Sequence, residues 1–298
     1  MSNSVTAEIP SRRLLVIAVM IIAMIIISFS GVLLRLMDGS DPWQINFYRA
    51  LAFGSAIGTV VVLRHGKQTV ASFQRVGLIG IYGGALLAMA GIAYLQALTN
   101  TTVANTLFTL SAIPFITASL AFLFLHEHLG RLTIGAMCIA AVGIIVMVIN
   151  GIGVGSFYGN LMALLASFVF AVYAVIVRAN REIDMLPALV YAGIFLAASS
   201  LYMRWGNLSV TTKDIFLCFV WGGLLSGFAN SMFVFASRHI LAGEVTLLLL
   251  LEFALGPIWV WLIVSEVPTS WTLVGGGMVI AAVALNAVAE LRSQGDVS

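Results

Sequence analysis

Charge is what this chain has least of. Among 298 residues only 9% are Asp, Glu, Lys or Arg, cysteine occurs twice and proline six times, whereas soluble domains are about 25% charged. With 61% of its residues hydrophobic, the chain has too few polar side chains to cover a water-facing surface, which excludes an ordinary soluble enzyme. Cys138 and Cys218 both fall inside apolar runs, so they form no disulfide framework or metal-ligand spacing. Free cysteine in such a setting behaves as a small apolar residue. No Gly-x4-Gly-Lys-Ser/Thr loop is present, which speaks against ATP-driven work by this chain. The formal net charge of +2 says nothing about nucleic acid, and no nucleic-acid partner is expected. No cofactor is expected.

What the chain does have is long apolar runs. A helix needs about 20 mostly apolar residues to cross a hydrocarbon core of about 30 Å. Ten segments meet that need: Leu14–Leu36, Gln44–Leu63, Val76–Leu98, Val103–Leu125, Leu132–Ile149, Tyr158–Val177, Leu186–Met203, Ile215–Ala236, Glu244–Val264 and Trp271–Ala289. They predict an all-α integral membrane protein in a lipid bilayer, with no separate soluble domain. Segment 1 is too long for a signal peptide's apolar region and lacks a small-residue cleavage site. Basic residues bias the two sides. Arg12, Arg13, Arg64, Lys67, Arg75, Arg131, Arg178, Arg181, Arg238 and Arg292 collect on the side of the N-terminus, against Arg35, Arg204 and Lys213 on the other. Both termini are therefore expected on the cytoplasmic side of the cytoplasmic (inner) membrane. Trp43, Trp205 and Trp271 sit at segment ends and read as interfacial anchors.

The chain also resembles itself at a shift of 139 residues. Ser28-Phe29 corresponds to Ser167-Phe168, Tyr82-Gly83-Gly84 to Trp221-Gly222-Gly223, Ala97 to Ala236 and Glu127 to Glu266, while Gly135 pairs with Gly275 one residue later in register. Each match falls at the corresponding segment of a five-segment half, residues 14–149 and 158–289. Five is odd, so the second half enters the membrane from the opposite side. Two inverted five-helix repeats are an arrangement common among secondary transporters.

Several short patterns add a family resemblance: Asp41-Pro42 with Arg49 opening segment 2, Ala97-Leu98 closing segment 3, Pro114 in segment 4 and Glu127 after it. The second half contributes Leu251-Glu252-Phe253 with Gly256-Pro257, then Ser265-Glu266 and Gly275-Gly276-Gly277. The sequence resembles the drug/metabolite transporter superfamily in its ten-helix form with two EamA-type repeats. Phe253 stands where the second repeat often has proline, and Arg49 has no basic counterpart in segment 7. The resemblance implies export or exchange of small metabolites, amino acids among them. It also implies a central cavity lined by segments 1–4 and 6–9, with segments 5 and 10 peripheral. A drug or lipid-linked sugar translocator of the same fold stays open, as do a receptor and a homodimer.

Candidate pathway residues are those whose polarity is costly at membrane depth. Arg49 and Glu252 lie deepest. Arg49 could meet a substrate carboxylate and Glu252 a proton or a substrate amine, or either could be paired structurally. Asn105, Thr109 and Ser119 form a polar stripe in segment 4 near Pro114; this is either a cavity wall with a kink or interhelical hydrogen bonding. Pro257 could play the matching role in segment 9. Tyr82 and Trp221 could frame a cavity for apolar side chains, with Asn230 adding a polar group, or could be packing. Tyr82, Met89 and Gln96 share one face of segment 3, and Gly80, Gly84, Ala88 and Gly91 define another suited to close packing. His126-Glu127-His128 lacks the His-Glu-x-x-His spacing of a helical zinc site, so no metal is expected. None of His65, His126, His128 and His239 lies deep and no Asp does, so no intramembrane catalytic constellation is expected.

Overall fold

The computed structural model describes residues 8–39, 41–125, 131–151, 157–239, 245 and 248–295. Apolar runs with no water to satisfy their backbone must bond internally, and helices do this within one segment. The elements in chain order are α1 (Glu8–Ile27), α2 (Ser30–Arg35), α3 (Pro42–His65), α4 (Thr69–Asn100), α5 (Val103–Leu110), α6 (Ile113–Leu125), α7 (Arg131–Gly151), α8 (Phe157–Ala179), α9 (Leu186–Met203), α10 (Thr212–Phe219), α11 (Gly227–Ala236), α12 (Leu250–Val264) and α13 (Ser270–Gly295). No strand occurs among the described residues.

Six helical stretches among them are long and apolar enough to cross a bilayer. One of these, Pro42–Asn100, runs for 59 residues and doubles back through the 3-10 turn Gly66–Gln68. Ile134–Val146, Leu250–Val264 and Ser270–Ala282 are shorter apolar helices. The start expected for segment 9, Glu244, lies outside the described residues, as does His126-Glu127-His128.

Several expected segments are broken, and the breaks have local causes. Segment 1 parts at Ser28-Phe29 into α1 and α2. Segment 4 parts at Ser111-Ala112 into α5 and α6, just before Pro114, which has no N–H to give the carbonyl four residues back. Segment 8 changes from α to a π-helical stretch, Val220–Ser226, and back. Segment 3 begins at a kink: Gly77 adopts φ 49° inside α4, a left-handed conformation that favours glycine. Start signals are local too. Asp41 accepts from the Trp43 N–H at 2.9 Å while Gln44 Oε1 accepts from the Asp41 N–H at 3.1 Å, a reciprocal cap on α3 with Pro42 in the first turn.

The halves pack by exchange. α1 lies on α11 as α4 lies on α8, and α3 lies on the π-helical stretch as α4 lies on α9. α2 touches α12 much as α5 touches α8, and α3–α9, α5–α12 and α7–α13 each join an element to its own counterpart. The α3–α9 contact centres on Gly54 and Gly193, two residues separated by the repeat shift of 139. A methyl on Gly193 would sit 2.8 Å from the Gly54 Cα. Ala140 and Val279, also 139 apart, are both buried in the cluster between α7 and α13. Ser28 and Ser167 are buried in matching places, Ser28 accepting from Trp259 Nε1 at 2.9 Å and Ser167 reaching the Thr109 carbonyl at 3.4 Å. The self-similarity read from the sequence is thus a structural two-repeat fold.

Polar groups gather at the two ends. At one, Arg35 pairs with Glu266 at 2.6 Å, Arg204 with Asp41, and Lys213 with Asp38 at 2.8 Å. At the other, Asp184 lies 3.3 Å from His65 and 3.6 Å from Arg64.

Candidate functional site: a cavity between the halves

Between the two halves lies a cavity of about 150 Å³, a volume that in a protein core holds a molecule the size of benzene. It is walled by segments 1 to 4 of the first half and by segments 6, 8 and 9 of the second. Segment 7 joins through Ala192 and Leu196, which line a second space of about 70 Å³ on the other side of Arg49. Among the described residues, none of α7 or α13 lines either space.

Four of the residues singled out from the sequence line the main cavity: Arg49, Trp221, Asn230 and Glu252. Arg49 is only 7% exposed. Its Nη2 donates to Asn46 Oδ1 at 2.7 Å and to the Gly91 carbonyl at 3.3 Å, and its guanidinium lies 4.7 Å over the Trp221 ring. Such a cation over an indole face is held electrostatically by the ring quadrupole. Trp221 is fully buried. It is placed there by Gly222, whose missing side chain lets the backbone sit against the Arg49 carbonyl. Asn230 donates to the Ser226 carbonyl at 2.9 Å and lines both spaces. Glu252 is the third residue of α12. Arg49 Nε has no partner among the described residues, and no hydrogen bond or ion pair is found there for Glu252. The cavity therefore presents a guanidinium and a carboxyl group that are not paired with each other among the described residues.

The other six sit elsewhere, and each has a physical reason. Tyr82 is 65% exposed, which corrects the expectation that it frames a cavity with Trp221. Its helix is regular there, and the following Gly83 and Gly84 take the inward face against Met185 and Tyr191. At the corresponding place in segment 8, i→i+5 bonding widens the turn and turns Trp221 inward. Asn105 and Thr109 are buried but bond within the packing: Asn105 Nδ2 donates to Asn160 Oδ1 and Thr109 Oγ1 to the Asn105 carbonyl. Ser119 likewise bonds the Phe115 carbonyl. The polar stripe of segment 4 is interhelical and intrahelical glue rather than a cavity wall. Pro114 and Pro257 are buried and shape their helices, but neither lines the cavity.

Most of the cavity lining was missed, Tyr94 and Ser226 among its polar members. Tyr94 lines the cavity and its hydroxyl shares a 3.0 Å hydrogen bond with Ser30 Oγ. It lies within electrostatic range of Glu252 and Arg49 alike. The signal was faint: one hydroxyl in an apolar run, with a partner 64 residues earlier.

Comparison with known proteins places this geometry. No curated protein matches the sequence. A crystal structure described only as that of a protein aligns with 92% of this chain and 97% of its own at a TM-score of 0.66 and 16% identity, a likeness of fold alone. The model of the EamA-like transporter family matches twice, over residues 14–149 and 157–288. With both halves of its helical bundle matched in this way, the chain belongs to the EamA-like transporter family and is a multi-pass membrane protein built from two copies of that unit.

Proposed function

We propose that the chain is a ten-crossing secondary transporter that exports or exchanges small organic metabolites, amino acids foremost, across the cytoplasmic membrane by alternating access. Its two five-helix halves are inverted, and both termini face the cytoplasm. The observation that carries this reading is the cavity between the halves with Arg49 and Glu252 both lining it and not paired to each other. An α-amino acid brings a carboxylate and an ammonium, complementary to that pair. Apolar walls from Phe170, Phe233 and Trp221 suit an uncharged side chain. Burying an unpaired charge is costly, so a zwitterion that satisfies both groups binds where water alone does so poorly. Inverted halves give inward-open and outward-open shapes of similar energy, the condition for alternating access.

The test is counterflow in proteoliposomes. Vesicles preloaded with one solute are challenged with labelled amino acids, nucleosides or cationic drugs, with and without a pH gradient. The expected result is exchange of neutral amino acids, reduced at least tenfold in both Arg49→Gln and Glu252→Gln. A folded preparation that exchanges no solute on the panel overturns the reading. Exchange confined to nucleosides or cations overturns the amino-acid assignment.

A further inference from the structure

Segment 1 is clamped at two places about 9 Å apart, six residues at a rise of about 1.5 Å each. The inner clamp is its break. Ser28 accepts from Trp259 Nε1 at 2.9 Å, Phe29 stacks on the Trp259 ring at a centroid distance of 4.9 Å, and Ser30 shares its hydroxyl bond with Tyr94 at 3.0 Å. Three consecutive residues thus tie the break to α12 and α4, and Tyr94 itself looks into the cavity. The outer clamp is Arg35, the last residue of α2. Its Nε donates to Glu266 at 2.6 Å, its Nη1 to the Leu98 carbonyl and its Nη2 to the Thr101 carbonyl, each at 3.1 Å. Glu266 in turn accepts from the Val103 N–H at 2.8 Å. One six-residue helix therefore joins the cavity wall to the knot of backbone and charge where segments 3, 4 and 9 end.

We propose that Tyr94 is a positioning residue that links the cavity to the closure at the Arg35–Glu266 end through Ser30 and α2. Tyr94 has a single proton to give, so an acceptor entering the cavity competes with Ser30 for it, and taking that proton from a Tyr94 that donates to Ser30 releases Ser30. Ser30 is the first residue of α2, and the two residues before it are outside any helix. That release frees a joint rather than bending a continuous helix. The far end of the same rigid piece carries Arg35, so motion at the joint pulls on the ion pair. This inference rests on the transporter reading for its purpose but not for its measurement.

The experiment places spin labels at Leu36→Cys and Val267→Cys, two exposed positions flanking the Arg35–Glu266 pair, in a chain carrying Cys138→Ser and Cys218→Ala. Pulsed electron paramagnetic resonance in liposomes then gives the distance distribution. Tyr94→Phe and Ser30→Ala each remove one oxygen and keep the shape. Each should raise the longer-distance population by about two- to tenfold, the worth of one hydrogen bond. The double variant should do no more than either alone, because one bond is lost in all three. Arg35→Gln should open the same distance by itself and make Tyr94→Phe silent. Distances unchanged in Tyr94→Phe, a shift without its counterpart in Ser30→Ala, or effects that multiply in the double variant each overturn the proposal. Shifted distances in a protein that exchanges no solute leave the linkage standing and sink the transporter reading. Exchange with unmoved distances does the reverse.

Discussion

Asp41 does two things at one helix end. It caps α3 through the Trp43 N–H, and its other oxygen meets Arg204. The hydrogen bond from Arg204 is the main influence on its carboxyl, which it holds below the ordinary carboxylate range against the opposing effect of burial. A carboxyl depressed in the folded state adds stability above its unfolded value of about 3.9, and that stability is lost as pH falls through the lower folded value. The pair is partly exposed, so solvent screens it and its worth is small. Thermal melting in detergent between pH 6 and pH 2.5 should show a fall below about pH 4 that shrinks in Asp41→Asn, which keeps the cap acceptor. Asp41→Ala removes the cap as well and should cost about 1 kcal/mol more at neutral pH. Equal melting of the Asn and Ala variants at pH 7 would show that the cap contributes nothing.

At the scale of elements, the segments were legible and their interruptions were not. Apolar length marks Leu186–Met203 to the residue, because water at both ends stops the run. The break at Ser28-Phe29 carries neither glycine nor proline, and it exists because Trp259 holds Ser28 and Phe29 from outside while Tyr94 holds the next residue, Ser30. A contact made across more than 200 residues leaves no periodic trace. The π-helical turn is equally silent, and with it went the different facing of Tyr82 and Trp221. Close packing was readable only as a surplus of small residues. The structure says which are needed, and unequally: a methyl on Gly54 meets the Gly193 Cα at an ordinary 3.6 Å, whereas one on Gly193 meets the Gly54 Cα at 2.8 Å and its N at 3.1 Å. Gly193→Ala should therefore destabilise the folded protein by about 1–3 kcal/mol, and Gly54→Ala by much less. Denaturation followed by tryptophan fluorescence compares them, and equal losses would place the tight side of the contact elsewhere.

For the whole molecule, the charge bias acquires a structural reason. The three basic residues of the poorer side, Arg35, Arg204 and Lys213, are each matched by an acid, Glu266, Asp41 and Asp38. That end of the bundle closes on itself electrostatically, and in the proposed topology the end richer in Arg and Lys faces the cytoplasm. A cysteine at exposed Trp205 should react with a membrane-impermeant maleimide in intact cells, and one at Lys67 only after permeabilisation. The reverse pattern would invert the assigned topology. Of the cavity, the sequence disclosed its charges, since an ionisable group in an apolar run is conspicuous. It hid the walls, since cavity and packing use the same apolar residues.

Gly54 touches Gly193, and each is the other's copy in the repeat. A residue that meets its own counterpart lies on the axis relating the halves, as in any two-fold contact between identical subunits. The contact between α3 and α9 is thus built as a two-fold interface is built, with two halves of one chain in the place of two subunits.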